Sequence, residues 1–122
     1  MAASTEERSG LSYGWSLGEN NWNTLMDSNL LQIGRLALGG GIIDRGLTAP
    51  PGSPSAGDAY IVAATATGDW ASQEDDIAVY DGTDWVFYTA PDGFGVFILD
   101  EEVWSVFVAT SGWSDGVSHT WT

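Results

Sequence analysis

Cysteine is absent from the 122 residues, which excludes a disulfide framework and any thiolate metal site. Cations are nearly absent. Three arginines (Arg8, Arg35, Arg45) stand against 17 acids, lysine does not occur, and the net charge is −14. The imbalance is uneven: residues 1–46 hold five acids and all three arginines, whereas residues 47–122 hold twelve acids and no base. A protein that binds a nucleic-acid backbone displaces phosphate counterions with its own cations, so this composition speaks against DNA or RNA as a partner. Solubility accounts for such acidity, and divalent-cation binding is the alternative. Long apolar runs are missing too: none approaches the roughly 18 residues of a membrane-spanning helix. The first residues, Met1 to Arg8, lack the basic and apolar regions of a secretory signal, so synthesis in a cytoplasm is expected. Histidine occurs once, at His119. A lone histidine without a nucleophile motif gives no reason to expect an enzyme.

What is abundant is glycine, at 16 copies, and tryptophan, at seven. Many turn formers and large aromatics in a short chain predict a mainly β fold. Residues 1–18 are small and polar and read as an extended N-terminal arm, with Tyr13 and Trp15 as docking anchors. Residues 19–43 hold the one helix, predicted over 19–38, capped by Asn20 or Asn21 and ended by Gly39-Gly40-Gly41. Within it Trp22, Met26, Asn29, Ile33 and Leu36 recur at the spacing of a short oligomer seam. An ordinary amphipathic helix would show the same pattern. Residues 44–57 carry three of the four prolines and read as a linker.

Residues 58–122 read as a small antiparallel β domain of repeated hairpins. Expected strands are 59–64, 77–80, 85–89, 96–99, 103–109 and 117–121, separated by turns such as Asp81-Gly82-Thr83-Asp84 and Pro91-Asp92-Gly93. The unit strand, acidic turn, Trp-led strand recurs at an offset of 19, with Ile77–Asp81 matching Val96–Asp100 and Trp85 matching Trp104. Both faces of these strands are apolar. A half-solvated strand should alternate with polar residues, so a second subunit is expected to cover one face.

Leu47-Thr48-Ala49-Pro50-Pro51, Ser53-Pro54 and Gly57-Asp58-Ala59-Tyr60-Ile61-Val62 come in order. They are followed by Thr67-Gly68-Asp69-Trp70-Ala71, Asp76-Ile77-Ala78-Val79-Tyr80-Asp81, Trp85-Val86-Phe87-Tyr88, the Pro91-Asp92-Gly93 turn and Asp100-Glu101. This string resembles the DUF2793 family over about residues 44–107. The upstream segments Gly18–Trp22 and Met26–Leu30 look like what precedes this domain in phage tail proteins. The resemblance implies a structural protein of a phage, prophage or gene-transfer-agent particle. That means a tail fibre or baseplate appendage in the virion, in a family with no established catalytic residue; the seam and the two-faced strands add the expectation of a homotrimer, Tyr13 and Trp15 that of docking to other tail or baseplate proteins through the arm, and no cofactor is expected.

Two alternatives accompany that expectation. One is a head-surface spike or decoration protein. The other is a small glycan-binding module for a host surface, with Trp70, Trp85, Trp104, Trp113 and Trp121 stacking on sugars; the same rings could instead fill a core or a subunit interface. For metals, the oxygen-rich turns Glu74-Asp75-Asp76, Asp81 with Asp84, and Asp100-Glu101-Glu102 suit Ca2+, although none has EF-hand spacing.

Overall fold

A computed structural model of the chain describes residues 4–18, 20–37 and 40–118. His119, Trp121 and the end of the strand expected at 117–121 lie outside the described residues. The chain divides into two compact units, Met1–Gly39 and Gly40–Thr122.

The first unit is a hairpin and a helix. Strands β1 (Ser4–Thr5) and β2 (Ser12–Tyr13) pair antiparallel. The Glu6 carboxylate closes the turn between them by accepting from the amides of Arg8 (2.8 Å) and Ser9 (2.7 Å) and from the Ser9 hydroxyl. The segment expected as an extended arm therefore folds back on itself. Helix α1 spans Trp22–Gln32 and widens into a π-helical turn over Ile33–Ala37, where Gly34 weakens regular helix geometry. Asn21 stands at the N-cap, but its side chain makes no capping bond; its backbone is left-handed (φ 67), a conformation asparagine tolerates better than most residues.

The second unit holds two sheets. β3 (Ala59–Ile61), β4 (Ile77–Tyr80) and β5 (Trp85–Tyr88) form an antiparallel meander, with Tyr80 opposite Trp85. β6 (Gly95–Ile98) and β7 (Val103–Val108) form the second hairpin, and β8 (Gly112–Trp113) and β9 (Val117–Ser118) pair in succession with the far edge of β7. The acidic turn of the first hairpin is closed by Asp81, whose carboxylate accepts from the amides of Thr83 and Asp84. The duplicated hairpin is thus present, but its register differs. The sequence offset equates Tyr80–Trp85 with Leu99–Trp104, whereas Trp104 lies opposite Phe97. That slip of two residues preserves which side chains face inward, as strand periodicity requires.

Residues 42–44 join the sheets edge to edge. The Ile42 amide donates to the Phe97 carbonyl and its carbonyl accepts from Leu99; on the other side Ile43 donates to Ala59 and Asp44 accepts from Ile61. Further along, Leu47 and Thr48 accept from Ala63 and Thr67. The segment 44–57, expected as a linker between arm and domain, accordingly lies within the second unit, and the boundary between units falls at Gly39 and Gly40.

One face of the first sheet packs Tyr60 and Ala78 with Val62 and Trp70, against which Trp85 and Phe87 lean. The opposite face of β4 is also covered: Ile77 and Val79 are buried in the single chain. For this strand the expectation that another subunit covers one face is incorrect, because the chain covers both itself. Buried residues of the second sheet are Val96, Ile98 and Ser105.

Candidate functional site

The residues proposed as an oligomer seam are exposed or half-buried in the single chain. Trp22 is 52% exposed, Leu30 and Leu31 are exposed, and no residue of α1 is buried. Met26 and Leu36 are half-buried and Ile33 is exposed. Asn29, read as the seam's polar position, instead clasps β2: its amide oxygen accepts from the Ser12 amide at 2.9 Å and its amide nitrogen donates to the Ser12 carbonyl at 2.8 Å. Gln32 adds a bond to the Ser9 carbonyl at 3.0 Å. Of the two anchors proposed in the arm, Tyr13 is exposed and Trp15 half-buried.

The tryptophans proposed for sugar stacking have different fates. Trp70 is fully buried on a short 3-10 turn (Gly68–Trp70), so neither a sugar nor a partner can reach it. Its ring packs 5.2 Å from Trp85 and 5.7 Å from Tyr60, the edge-on and tilted arrangements that ring quadrupoles favour. Trp113 is half-buried, stacked on Phe107, with its indole N–H donating to the Asp75 carbonyl at 2.9 Å. Trp85 is half-buried, and Trp104 is 53% exposed. A continuous row of exposed tryptophan is therefore absent among the described residues. Trp121 lies outside them.

Trp104 belongs to a different feature. Along β7 the outward positions are Trp104, Val106 and Val108, all exposed. Val117 of β9, opposite Trp104, is 73% exposed, and Phe97 of β6 meets the Trp104 ring edge-on at 5.5 Å. An outer sheet face normally alternates to polar residues; this one is an uncharged apolar strip on a protein of net charge −14.

The inner side of the same strand is held by a polar hub that the sequence reading missed. Arg45 donates from all of its N–H groups: to both Glu101 oxygens at 2.8 Å, to the Ser105 hydroxyl at 3.1 Å, and to the carbonyls of Ser114 (2.7 Å) and Asp115 (2.9 Å). Those carbonyls lie in a bulge between β8 and β9, where three residues, Ser114 to Gly116, oppose Ser105 and Val106. Gly116 has φ 99, and a side chain there would meet Val103 at 2.5 Å. The bidentate Arg45 bond holds the Glu101 carboxyl below its ordinary range. The signal available in the sequence was the isolation of Arg45 in an otherwise base-free stretch.

An open cleft of about 680 Å³ lies beside the first hairpin. Tyr80, Trp85 and Phe87 share one face of that hairpin and form its aromatic wall. The prolines at 50, 51 and 54 form the facing wall, and Asp69 and Asp84 add carboxylates. The Trp-x-Phe alternation after a short acidic turn was legible; its juxtaposition with the proline segment was not, because that contact spans some 30 residues of chain.

The acidic turns do not converge. Glu74 accepts from the Ala66 amide and Asp76 from the Thr89 hydroxyl at 3.1 Å, and among the described residues no three Asp, Glu or His side chains come together as a metal site. Burial, aided by the neighbouring Asp75 and Glu74 charges, pushes the Asp76 carboxyl above its ordinary range against the Thr89 bond. Among the described residues no helix is long and apolar enough to cross a membrane.

No curated protein matches the chain. A family pattern described as "Protein of unknown function (DUF2793)" matches residues 28–114, which takes in the end of α1, the 42–44 bridge, both hairpins and, apart from Asp115, the Arg45 hub. The chain belongs to the DUF2793 family.

Proposed function

We propose that this protein is a non-catalytic structural component of a phage-like particle, a tail-fibre or baseplate appendage that assembles as a homotrimer. The observation that carries the assembly is the uncharged strip of Trp104, Val106, Val108 and Val117 on the outside of β7 and β9. Contiguous exposed apolar surface of this kind marks an interaction face. The occupant is a second copy of the chain. A basic partner would be recruited by acids, and this strip has none although 17 are available. Recognition by apolar complementarity is satisfied when the strips of three copies converge on a threefold axis and leave the carboxylates in water. The phage setting rests on the order of motifs set out in the sequence analysis. The absence of an exposed tryptophan row among the described residues favours assembly over glycan capture.

Light scattering coupled to gel filtration tests the reading. The wild type is expected at about three subunits, and Trp104→Ser with Val117→Ser at one, with unchanged circular dichroism. Both positions are exposed, so the substitutions leave the core intact. A wild-type protein that stays monomeric and folded at micromolar concentration rejects the proposal.

A further inference from the structure

Independently of assembly, we propose that the cleft between the proline segment and the first hairpin binds a quaternary ammonium group of the trimethylammonium type. Its dimensions suit a small ligand: about 680 Å³ lies within the usual range of small-molecule sites. The wall chemistry then selects the ligand. Tyr80, Trp85 and Phe87 sit on one face of the hairpin, with Tyr80 directly across from Trp85 at a ring separation of 5.0 Å. Aromatic faces attract cations through their quadrupoles, most strongly when the cation sheds its water at little cost. Trp85 is fixed by Trp70 and Tyr60 behind it, so the wall is preorganised and loses little side-chain entropy on binding.

Charge narrows the choice further. Asp69 and Asp84 line the cleft, no Lys, Arg or His does, and the one arginine of this unit spends its donors on the Arg45 hub. Anionic ligands are repelled. Neutral sugars could place hydroxyls on Asp69 and Asp84 but would gain no charge attraction from them, and the cleft has no Asn, Gln or Arg to sort their hydroxyls. A primary ammonium or a guanidinium must pair each of its N–H groups or lose hydration energy. The proline and aromatic side chains supply no acceptor but the Tyr80 hydroxyl, so side-chain pairing of N–H groups would fall to that hydroxyl and to Asp69, Asp84 and Thr83 alone. A quaternary ammonium has no N–H to pair, its methyl groups fit apolar walls, and its charge is neutralised by carboxylates at the rim.

The test follows indole and amide signals in two-dimensional 1H–15N spectra of the intact protein while tetramethylammonium or choline is added. The expected result is a saturable shift of the Trp85 indole and the Thr83 amide, with Trp104 and Trp113 unmoved. Choline should bind about tenfold more tightly than its uncharged isostere 3,3-dimethylbutanol. Raising sodium chloride from about 50 to about 500 mM should weaken binding severalfold. Asp69→Asn with Asp84→Asn should weaken it at least about fivefold at an unchanged fold, since both acids are exposed. Phe87→Leu, which keeps apolar volume and removes a ring, should weaken it as well. Co-sedimentation with phosphatidylcholine vesicles would assign the group to a lipid headgroup; binding of free choline without co-sedimentation would assign a soluble or polymer-borne source. Equal binding of the uncharged isostere, saturable binding of methyl glucoside in place of choline, or indifference to the double aspartate variant overturns the proposal. None of these outcomes bears on subunit number, which depends on the Trp104 face.

Discussion

Arg45 is the one arginine or lysine of residues 40–122, and it is 17% exposed. Each of its N–H groups has an acceptor, so its value lies in what its loss would strand: the Glu101 carboxylate and the Asp115 carbonyl lose their Arg45 donors, while the Ser114 carbonyl keeps the Ser105 hydroxyl. Arg45→Met is expected to cost about 2–3 kcal/mol, the range for losing hydrogen bonds from a charged group while stranding its partners. Two carboxyls predict opposite pH behaviour, one in this hub and one outside it. Glu101 has a folded pKa below its unfolded value, so its contribution is complete above the ordinary glutamate range and is lost as pH falls through the folded value. Asp76 has a folded pKa above its unfolded value. Its ionised form therefore penalises folding at neutral pH, and the penalty fades as pH falls through the folded value toward 3.8. Urea unfolding across pH should show Glu101→Gln less stable than the wild type near neutrality and equal to it in acid. Asp76→Asn, which still accepts from Thr89, should be more stable near neutrality and equal in acid. A Glu101→Gln deficit that persists unchanged at low pH would mean that the hub is held by shape and not by the ion pair.

Elements whose chemistry is local were legible in the sequence. The strand at 77–80 and the turn after it follow from β-branched and aromatic residues running into Asp-Gly, and the structure has both. The helix was legible as well, although it narrows to Trp22–Gln32 before its π turn. What escaped depends on distant partners. No strand was expected between 103–109 and 117–121, yet Gly112 and Trp113 form β8 because the edge of β7 is there to pair with them. The 44–57 segment read as a linker because proline suits extended chain, yet Ala63 and Thr67 fasten its first residues to the β unit. Trp70 could be read as stacking on a sugar or as filling a core, and nothing in Gly-Asp-Trp-Ala decides between them; the 3-10 turn places the indole in the core. Asn29 looked like a register device between helices, whereas its amide satisfies both backbone groups of Ser12. Asn29→Ala should therefore release β2 from α1 at a cost of about 1–2 kcal/mol within the first unit. The check is hydrogen exchange: the Ser12 amide should exchange at least about tenfold faster, matching that loss at 1.4 kcal/mol per decade, while the amides of β4 stay protected. Unchanged exchange at Ser12 would show that β1 pairing alone holds β2.

For the whole molecule the governing quantity is charge. Each copy carries −14, and residues 47–122 have twelve acids with no Lys or Arg among them, so the proposed trimer would confine triple that charge around an uncharged strip. Apolar burial at the strip and repulsion among the carboxylates around it work against one another. Repulsion acts over distance and is screened beyond about 8–10 Å at ordinary salt, whereas burial is a contact effect that salt leaves intact or strengthens. Assembly should accordingly tighten with ionic strength, and the melting temperature of the oligomer should climb across a sodium chloride series. Calcium could produce the same trend by a different route, through a specific site at an acidic turn. The two separate when ionic strength is held constant: screening is indifferent to which cation supplies it, while a site responds to micromolar-to-millimolar calcium and to a chelator. Screening is expected to account for the effect, because no three Asp, Glu or His side chains come together as a metal site among the described residues. The strip supplies the internal control. In the monomeric Trp104→Ser, Val117→Ser protein the salt dependence should shrink to that of a single chain's own repulsion, since the charges that salt must screen are then no longer brought together. A wild-type melting temperature that falls steadily with added sodium chloride would show that carboxylate repulsion does not limit the assembly.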